Sequence, residues 1–452
     1  MVSLTFYGGA NEIGGNKILL EDKGAKIYLD FGESFDFGED FFYDFLSPRA
    51  ANGLEVFFEF GLLPKVPKLY SKAMLQFTDF PYKKPDVDAV FISHSHSDHV
   101  GHLPFLDEGI PVYMGHGTKR IIETYTKLYP QLYNIGEHDD LRLFKTGDKI
   151  KVKHLVVEPI HVEHSIPGAY GFIIHTSKGA IVYSGDFRVH GPMKRFSKEF
   201  LEKAAASKPI ALLIEGTRMG SDVEHNFTEE EVEEKATKII KASKGTVFVD
   251  FSMSNVDRFM SFYKAAVKNK RKVVVDTRFA YILKALKEKI PVLPDVLTDP
   301  NIRVYYRIAK TCSFTEMDYS PWEREFFHKK ITFHEVAKAQ KKYVMHLGFY
   351  KLMELVYIQP KNADFIYSSS EHFLEGEENK DKKRVLKNWV EHFHMGWHTA
   401  HCSGHASKKD LEQAVKTIKP KLVIPIHTQN PEEYKKIHKN VLLPEKGETV
   451  KF

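Results

Sequence analysis

DAVFIS (88–93) runs straight into His94-Ser95-His96-Ser97-Asp98-His99, and this junction decides the reading of the chain. The first six residues are mostly apolar without a polar alternate, the pattern of a short strand buried on both faces. Beyond it, alternation puts His94 and His96 on one side of the departing chain. Asp98 and His99 fall on the turn into a helix expected to begin near His99. Four side chains with ligand atoms can then face one small volume from two directions, as a pair of neighbouring cations requires. Packing alone gives no reason for such a run.

Further donors sit at other strand ends. His164 lies in HSIPG, just before the apolar run YGFIIHT (170–176). Asp186 ends AIVYSGD (180–186), which delivers a carboxylate into a glycine-containing turn. A carboxylate can bridge two cations, so Asp186 is the expected bridging ligand. His427 closes KLVIPIH (421–427). A lone strand-end histidine is ordinarily a hydrogen-bonded residue and nothing more; these are singled out by the company they keep. His102, His116, His161, His190, His398 and His401 do not match the ligand pattern and read as structural or as groups that back the ligands.

The rest of the chain is consistent with this. At 452 residues it is long enough for two or three domains. The 42% hydrophobic and 28% charged content is that of a globular protein. No stretch approaches the roughly 18 apolar residues of a membrane helix, and the start lacks a basic region followed by an apolar one, so no signal peptide is expected. A net charge of +5, from 65 basic and 60 acidic residues, permits a nucleic-acid partner without arguing for one. Cys312 and Cys402 are the two cysteines, too few for a disulfide framework or a cysteine zinc site, which predicts a cytoplasmic protein.

Up to about residue 215 the sequence reads as short strands, including KIYLD (26–30). Within it, 33–83 is aromatic-rich, expected to be an insertion packed on the body, with a lid or partner-binding flap as the other reading. From 216 helix and strand alternate. Thr228 with Glu231 forms a capping box for EEEVEEKATKIIKAS. GTVFVDF (245–251), a helix from Ser254 to Lys268 and KVVVD (272–276) follow, which predicts a parallel sheet flanked by helices. A helix over 408–419 and the strand 421–427 close the pattern.

HxHxDH at 94–99, then His164, Asp186 and His427 in that order, resembles the metallo-β-lactamase superfamily. GGANEIGGN (8–16) and Asp30 resemble its ribonuclease J-like members. The stretch between Asp186 and His427 is similar to the β-CASP domain, with Glu215 in LLIEGT, His405 in SGHAS and His427 at its motifs A, B and C. The resemblance implies an α/β fold, a metallo-β-lactamase αββα sandwich with an inserted β-CASP domain. Its boundaries would be 1–215 and 400–452 for the sandwich and 216–399 for the insert. It implies two divalent ions, Zn²⁺ or Mn²⁺, one on His94, His96 and His164, the other on Asp98, His99 and His427, with Asp186 shared. Asp98 is also counted among the catalytic residues, and Asp30 would orient ligand histidines. His405, paired with Glu215, would protonate the leaving oxygen.

A histidine at motif C resembles the RNA-processing members, which implies an RNA substrate. Ser252, Ser254 and Asn255 in FSMSN (251–255), with Arg258 one turn on, resemble a segment that reads a 5′-monophosphate; an ordinary helix cap is the alternative. Ser403 and the loop Ser368-Ser369-Ser370-Glu371 are weaker phosphate candidates. Such a pocket would give 5′→3′ exonuclease action, with endonuclease action as the other mode. Because 25 residues follow His427, the implied form lacks the C-terminal domain of bacterial ribonuclease J. A homodimer or a place in an RNA-processing complex are the expected assemblies. The competing readings are a DNA nuclease, a small-molecule metallo-hydrolase and a non-catalytic scaffold.

Overall fold

The computed structural model describes residues 1–452 except 36–40, 43–45, 131–139, 222–226 and 371–379. The described chain divides into two compact units. Met1–Val189, Met193–Glu224 and Gly404–Phe452 form the first, and His190–Pro192 with His225–Ser403 the second.

The first unit holds two sheets. One runs in the order Thr449–Lys451, Val2–Gly8, Lys17–Asp22, Ala25–Leu29, Ala89–Phe91, Val112–Gly115, Leu141–Phe144. The other runs Val423–Ile426, Ala211–Glu215, Gly179–Tyr183, Tyr170–Thr176, Leu155–His161, Ile150–Val152. Leu4, Phe6, Ile27 and Phe91 of the first share a core with Phe172, Ile174, Ile181, Leu213 and Ile424 of the second. The two-residue period of a strand sends the alternate side chains outward. On one side Val90, Ile92, Val112 and Met114 meet Phe57, Phe58, Leu103 and Ile122. On the other, Ile173, Val182, Leu212 and Ile214 meet Phe200 of the helix Arg195–Ala206, and Leu411 and Val415 of Lys408–Ile418. The result is an α/β sandwich in αββα layers. It also explains the unbroken apolar run before His94: Ala89 and Phe91 enter one core, Val90 and Ile92 the other.

Within 33–83, Leu54, Phe57, Phe58, Leu63, Leu69, Tyr70 and Leu75 are buried in the outer layer, so these residues pack on the body. Phe35, Phe41, Leu46 and Phe77 remain exposed, and part of the run 41–46 lies outside the described residues. The helix expected near His99 is a single turn, Ser97–Val100, followed by a 3-10 turn, Leu103–Phe105. Pro104 has no N–H and restricts the residue before it, so the turn does not extend.

The second unit is one parallel sheet, ordered Lys330–Ile331, Ile302–Tyr305, Lys272–Asp276, Tyr343–His346, Val247–Asp250, Asp364–Tyr367, Gly396–Thr399. Its helices include Glu229–Ala242, Val256–Lys268 and Lys380–His392. The capping box is present: Glu231 N donates to Thr228 Oγ1 at 3.2 Å and Thr228 N to Glu231 Oε2 at 2.8 Å. No helix among the described residues is long and apolar enough to cross a membrane.

Candidate metal centre

His94 leaves the end of the buried strand Ala89–Phe91, and His96 caps the one-turn helix that carries Asp98 and His99. That turn is held by the N-terminal segment. Asn16 N donates to Asp98 O, Phe31 N to His99 O and Glu33 N to Ser97 O. The approach is close enough to need glycine: a Cβ on Gly32 would meet Asp98 O at 1.7 Å, and Gly14 sits at φ +82° with Asp98 Cβ 2.7 Å from where its own would be. The glycine-rich start is therefore part of the site's frame.

His164 follows the strand Leu155–His161, Asp186 follows Gly179–Tyr183, and His427 follows Val423–Ile426. All seven side chains converge in the first unit. Three groups emerge, His94 with His96 and His164, Asp98 with His99, Asp186 and His427, and His164 with Asp186 and His405; within each group the ligand atoms lie within 4.8 Å of one another. Asp186 Oδ2 links the first two. It stands 3.2 Å from His99 Nε2, 3.6 Å from His427 Nε2, 3.7 Å from His94 Nε2 and 3.9 Å from His164 Nε2. Neither oxygen of this buried carboxylate accepts a well-aligned hydrogen bond. The discounted histidines fall in no such group among the described residues.

The imidazoles are turned so that their outer nitrogens face inward. His99 Nδ1 donates to Asp30 Oδ2 at 2.7 Å, His164 Nδ1 to Gly404 O at 2.6 Å, His427 Nδ1 to Thr217 Oγ1 at 2.9 Å, and His94 Nδ1 to Ser93 Oγ at 3.0 Å. With Nδ1 occupied, each ring offers the Nε2 lone pair, the arrangement that metal-binding histidines adopt. His96 instead turns Nδ1 inward, 3.0 Å from His94 Nε2 and 3.1 Å from His164 Nε2. Backing groups such as Ser93 and Thr217 were not singled out from sequence. Their only signal there is adjacency, one residue before His94 and two after Glu215.

Charge fits a cation as well. Burial holds His94 and His164 well below the usual histidine range and brings His96 down to about 4. Burial also opposes a charge on His99 and His427, but Asp186 and Asp98 outweigh it and raise both. Burial works against ionised Asp98 and Asp186 too, yet His99 and His427 hold these carboxyls well below their usual range. Among the described residues no lysine or arginine lies within ion-pairing distance of either. Two buried carboxylates balanced only by imidazoles are a place where divalent cations displace protons. The donors present fit divalent metal.

Beside the centre, His405 Nδ1 donates to Glu215 Oε2 at 3.0 Å and lies 3.8 Å from Asp186 Oδ2. Glu215 is fully buried, and its other oxygen accepts from Phe187 N at 3.0 Å. Burial disfavours charge on His405, but Glu215, with Asp186 and Asp98, pushes it up to about 9.

The remaining candidates lie in the second unit. Ser252 and Ser254 hydroxyls are 2.9 Å apart, and Asn255 caps Val256–Lys268 by accepting from Arg258 N at 3.0 Å. Arg258 is fully buried. Its guanidinium is committed to Glu229 at 3.0 and 3.1 Å, to the Cys402 carbonyl at 2.9 Å and to Ser368. It ties elements of the unit together and offers no face to a phosphate. Ser403 is half-buried, and its carbonyl accepts from His190 Nε2 at 3.1 Å. Ser368 is buried, while Glu371 lies outside the described residues.

Residues 66–241 match the beta-lactamase superfamily domain, and 392–436 match the Zn-dependent metallo-hydrolase RNA specificity domain. Ribonuclease J of Helicobacter pylori is 22% identical over 449 residues, covering 94% of this chain and 56% of its own. This chain thus spans about half the length of that relative. Ribonuclease J of Mycoplasma pneumoniae is 24% identical over 438 residues, covering 93% of this chain and 67% of its own. A crystal structure of a protein of unknown function from Enterococcus faecalis V583 shares the fold, with a TM-score of 0.76, 24% identity and 99% of both chains covered. Similarity to ribonucleases J thus runs along nearly the whole chain, and the two domain matches together contain all seven donors of the candidate metal centre.

Proposed function

We propose that this protein is a metal-dependent ribonuclease that hydrolyses phosphodiester bonds of RNA. The observation that carries the reading is Asp186 Oδ2, placed 3.2–3.9 Å from four inward-facing Nε2 atoms of two donor groups. His94, His96 and His164 would hold one ion and Asp98, His99 and His427 the other, with Asp186 shared; Zn²⁺ or Mn²⁺ suits these ligands. Two bound cations supply charge neutralisation for phosphate oxygens and make hydroxide available at neutral pH. The chain's own residues then supply the proton. His405 is fixed through Nδ1 by Glu215, which leaves Nε2–H to protonate the departing oxygen. Because Glu215 favours the imidazolium, His405 carries that proton at neutral pH. Having given it up, His405 takes a proton back from solvent before the next turnover.

The finer reading is 5′→3′ exonuclease action on 5′-monophosphorylated RNA. The paired hydroxyls of Ser252 and Ser254 at the start of a 13-residue helix support it. Arg258 enters only as the clamp beneath them. A cytoplasmic location, and a homodimer or membership of an RNA-processing complex, belong to the same proposal.

The test uses one RNA with a 3′ fluorophore, bearing either a 5′-monophosphate or a 5′-triphosphate, with Mn²⁺ or Zn²⁺ and matching single-stranded DNA alongside. Stepwise release from the monophosphorylated RNA alone supports the full reading. Internal fragments irrespective of the 5′ end keep the ribonuclease and make it an endonuclease. Cleavage of DNA alone, or of neither, overturns it.

A further inference from the structure

The left-handed backbone of Asp30, φ +57°, is unusual for a residue with a side chain. It aims a fully buried carboxylate at four donors. Oδ1 accepts from Ser93 N at 2.6 Å; Oδ2 accepts from Ser93 Oγ at 2.7 Å, His99 Nδ1 at 2.7 Å and Tyr183 Oη at 2.5 Å. Ser93 Oγ, its hydrogen given to Asp30, accepts from His94 Nδ1 at 3.0 Å. Asp30 therefore backs one histidine of each donor group, His99 directly and His94 through Ser93. Tyr183 stands behind Asp30 on the strand Gly179–Tyr183, three residues before Asp186, and is fully buried.

We propose that Tyr183 is a positioning residue for both halves of the metal centre, its phenol fixing the Asp30 carboxylate that orients His99 and, through Ser93, His94. Tyr183 touches neither a ligand atom nor a substrate. What it supplies is a short bond from an opposite strand to an oxygen that must serve three donors at once. Without it, Oδ2 is free to swing toward Ser93 and His99 alone, and both imidazoles lose a fixed bearing. Burial and the neighbouring Asp30 push the phenol's pKa well up, so the hydroxyl remains a donor throughout the working pH range. Outer hydrogen bonds of this kind change metal affinity by about 10–100-fold when removed.

Tyr28 provides an internal control. It is also buried, but its hydroxyl makes no hydrogen bond. The experiment adds Co²⁺ to the full-length apoprotein and follows the visible ligand-field spectrum, with affinity measured against a competing chelator. Tyr183→Phe is expected to alter band position and intensity and to weaken Co²⁺ binding about tenfold or more, whereas Tyr28→Phe leaves both unchanged. An unchanged spectrum and affinity in Tyr183→Phe overturns the proposal, as does an equal change in Tyr28→Phe. If Tyr183→Phe does not fold, Ser93→Ala decides, because it cuts the same relay one bond later; unchanged Co²⁺ binding there also overturns it. The inference rests on reading the cluster as a metal centre. If the unmodified protein binds no Co²⁺, that reading itself fails, an outcome distinct from a silent Tyr183.

Discussion

Replacing Asp186 by Ala removes the oxygen on which four imidazoles converge. Bound divalent ion measured by elemental analysis should fall below one equivalent, and RNA cleavage should vanish with it; retention of both would sink the bridging assignment. His405→Ala separates chemistry from binding. It should keep its ions while turnover drops about 10²–10⁴-fold, the usual worth of a positioned acid, and lost ions there would make His405 a ligand. The convergence of the candidate ligands was legible because HxHxDH is a dense local signal, and because the other donors sit at strand ends. What supports them was not. Thr217 backs His427 from 210 positions away and Gly404 backs His164 from 240, and no local pattern encodes a bond of that span.

At the scale of single elements, Arg258 shows the same limit. One turn into its helix it looks like a phosphate contact, yet the fold spends it on Glu229. Arg258→Met removes the cation that faces this buried glutamate, which should destabilise the second unit by about 3–5 kcal/mol. All three tryptophans of the chain, Trp322, Trp389 and Trp397, lie in this unit, so their fluorescence in a urea titration reads the loss. Adding Glu229→Gln should restore part of it. The strand end at Asp250 offers a pH test. Burial, opposed by Lys382 and Lys351, raises its pKa from 3.8 to about 7. Between about pH 4 and pH 7 the folded state keeps a proton that the unfolded chain has released, so this contribution to stability falls as pH rises through that window. Asp250→Asn should flatten the slope between pH 5 and pH 8; an unaltered slope assigns it to other groups. By contrast the capping box Thr228–Glu231 was readable outright, since its two bonds span three residues.

For the molecule as a whole, the residues themselves announced short strands in the first part and, through strand–helix alternation, the parallel sheet of the second unit, while the layered sandwich was implied by the resemblance of the histidine and aspartate motifs. The packing of 33–83 on the body was expected from its aromatic run, whereas the shortness of the helix after His96, cut off near Pro104, became visible only in three dimensions. The site has a further consequence for the molecule. Its donors come from segments near residues 94, 164, 186 and 427, on strands of both sheets. Ions held between these donors would be rivets through the two halves of the sandwich, joining segments far apart along the chain. Species that bind only the folded chain stabilise it by an amount that grows with the logarithm of their concentration, about 2.7 kcal/mol at a hundredfold excess over Kd. The melting temperature should therefore climb with added Zn²⁺ or Mn²⁺ and drop on chelation, and an unmoved melt would separate catalysis from architecture. Loss of metal would then be felt as looseness of the whole first unit, so that starvation for the ion would mark the protein for degradation as well as silence it.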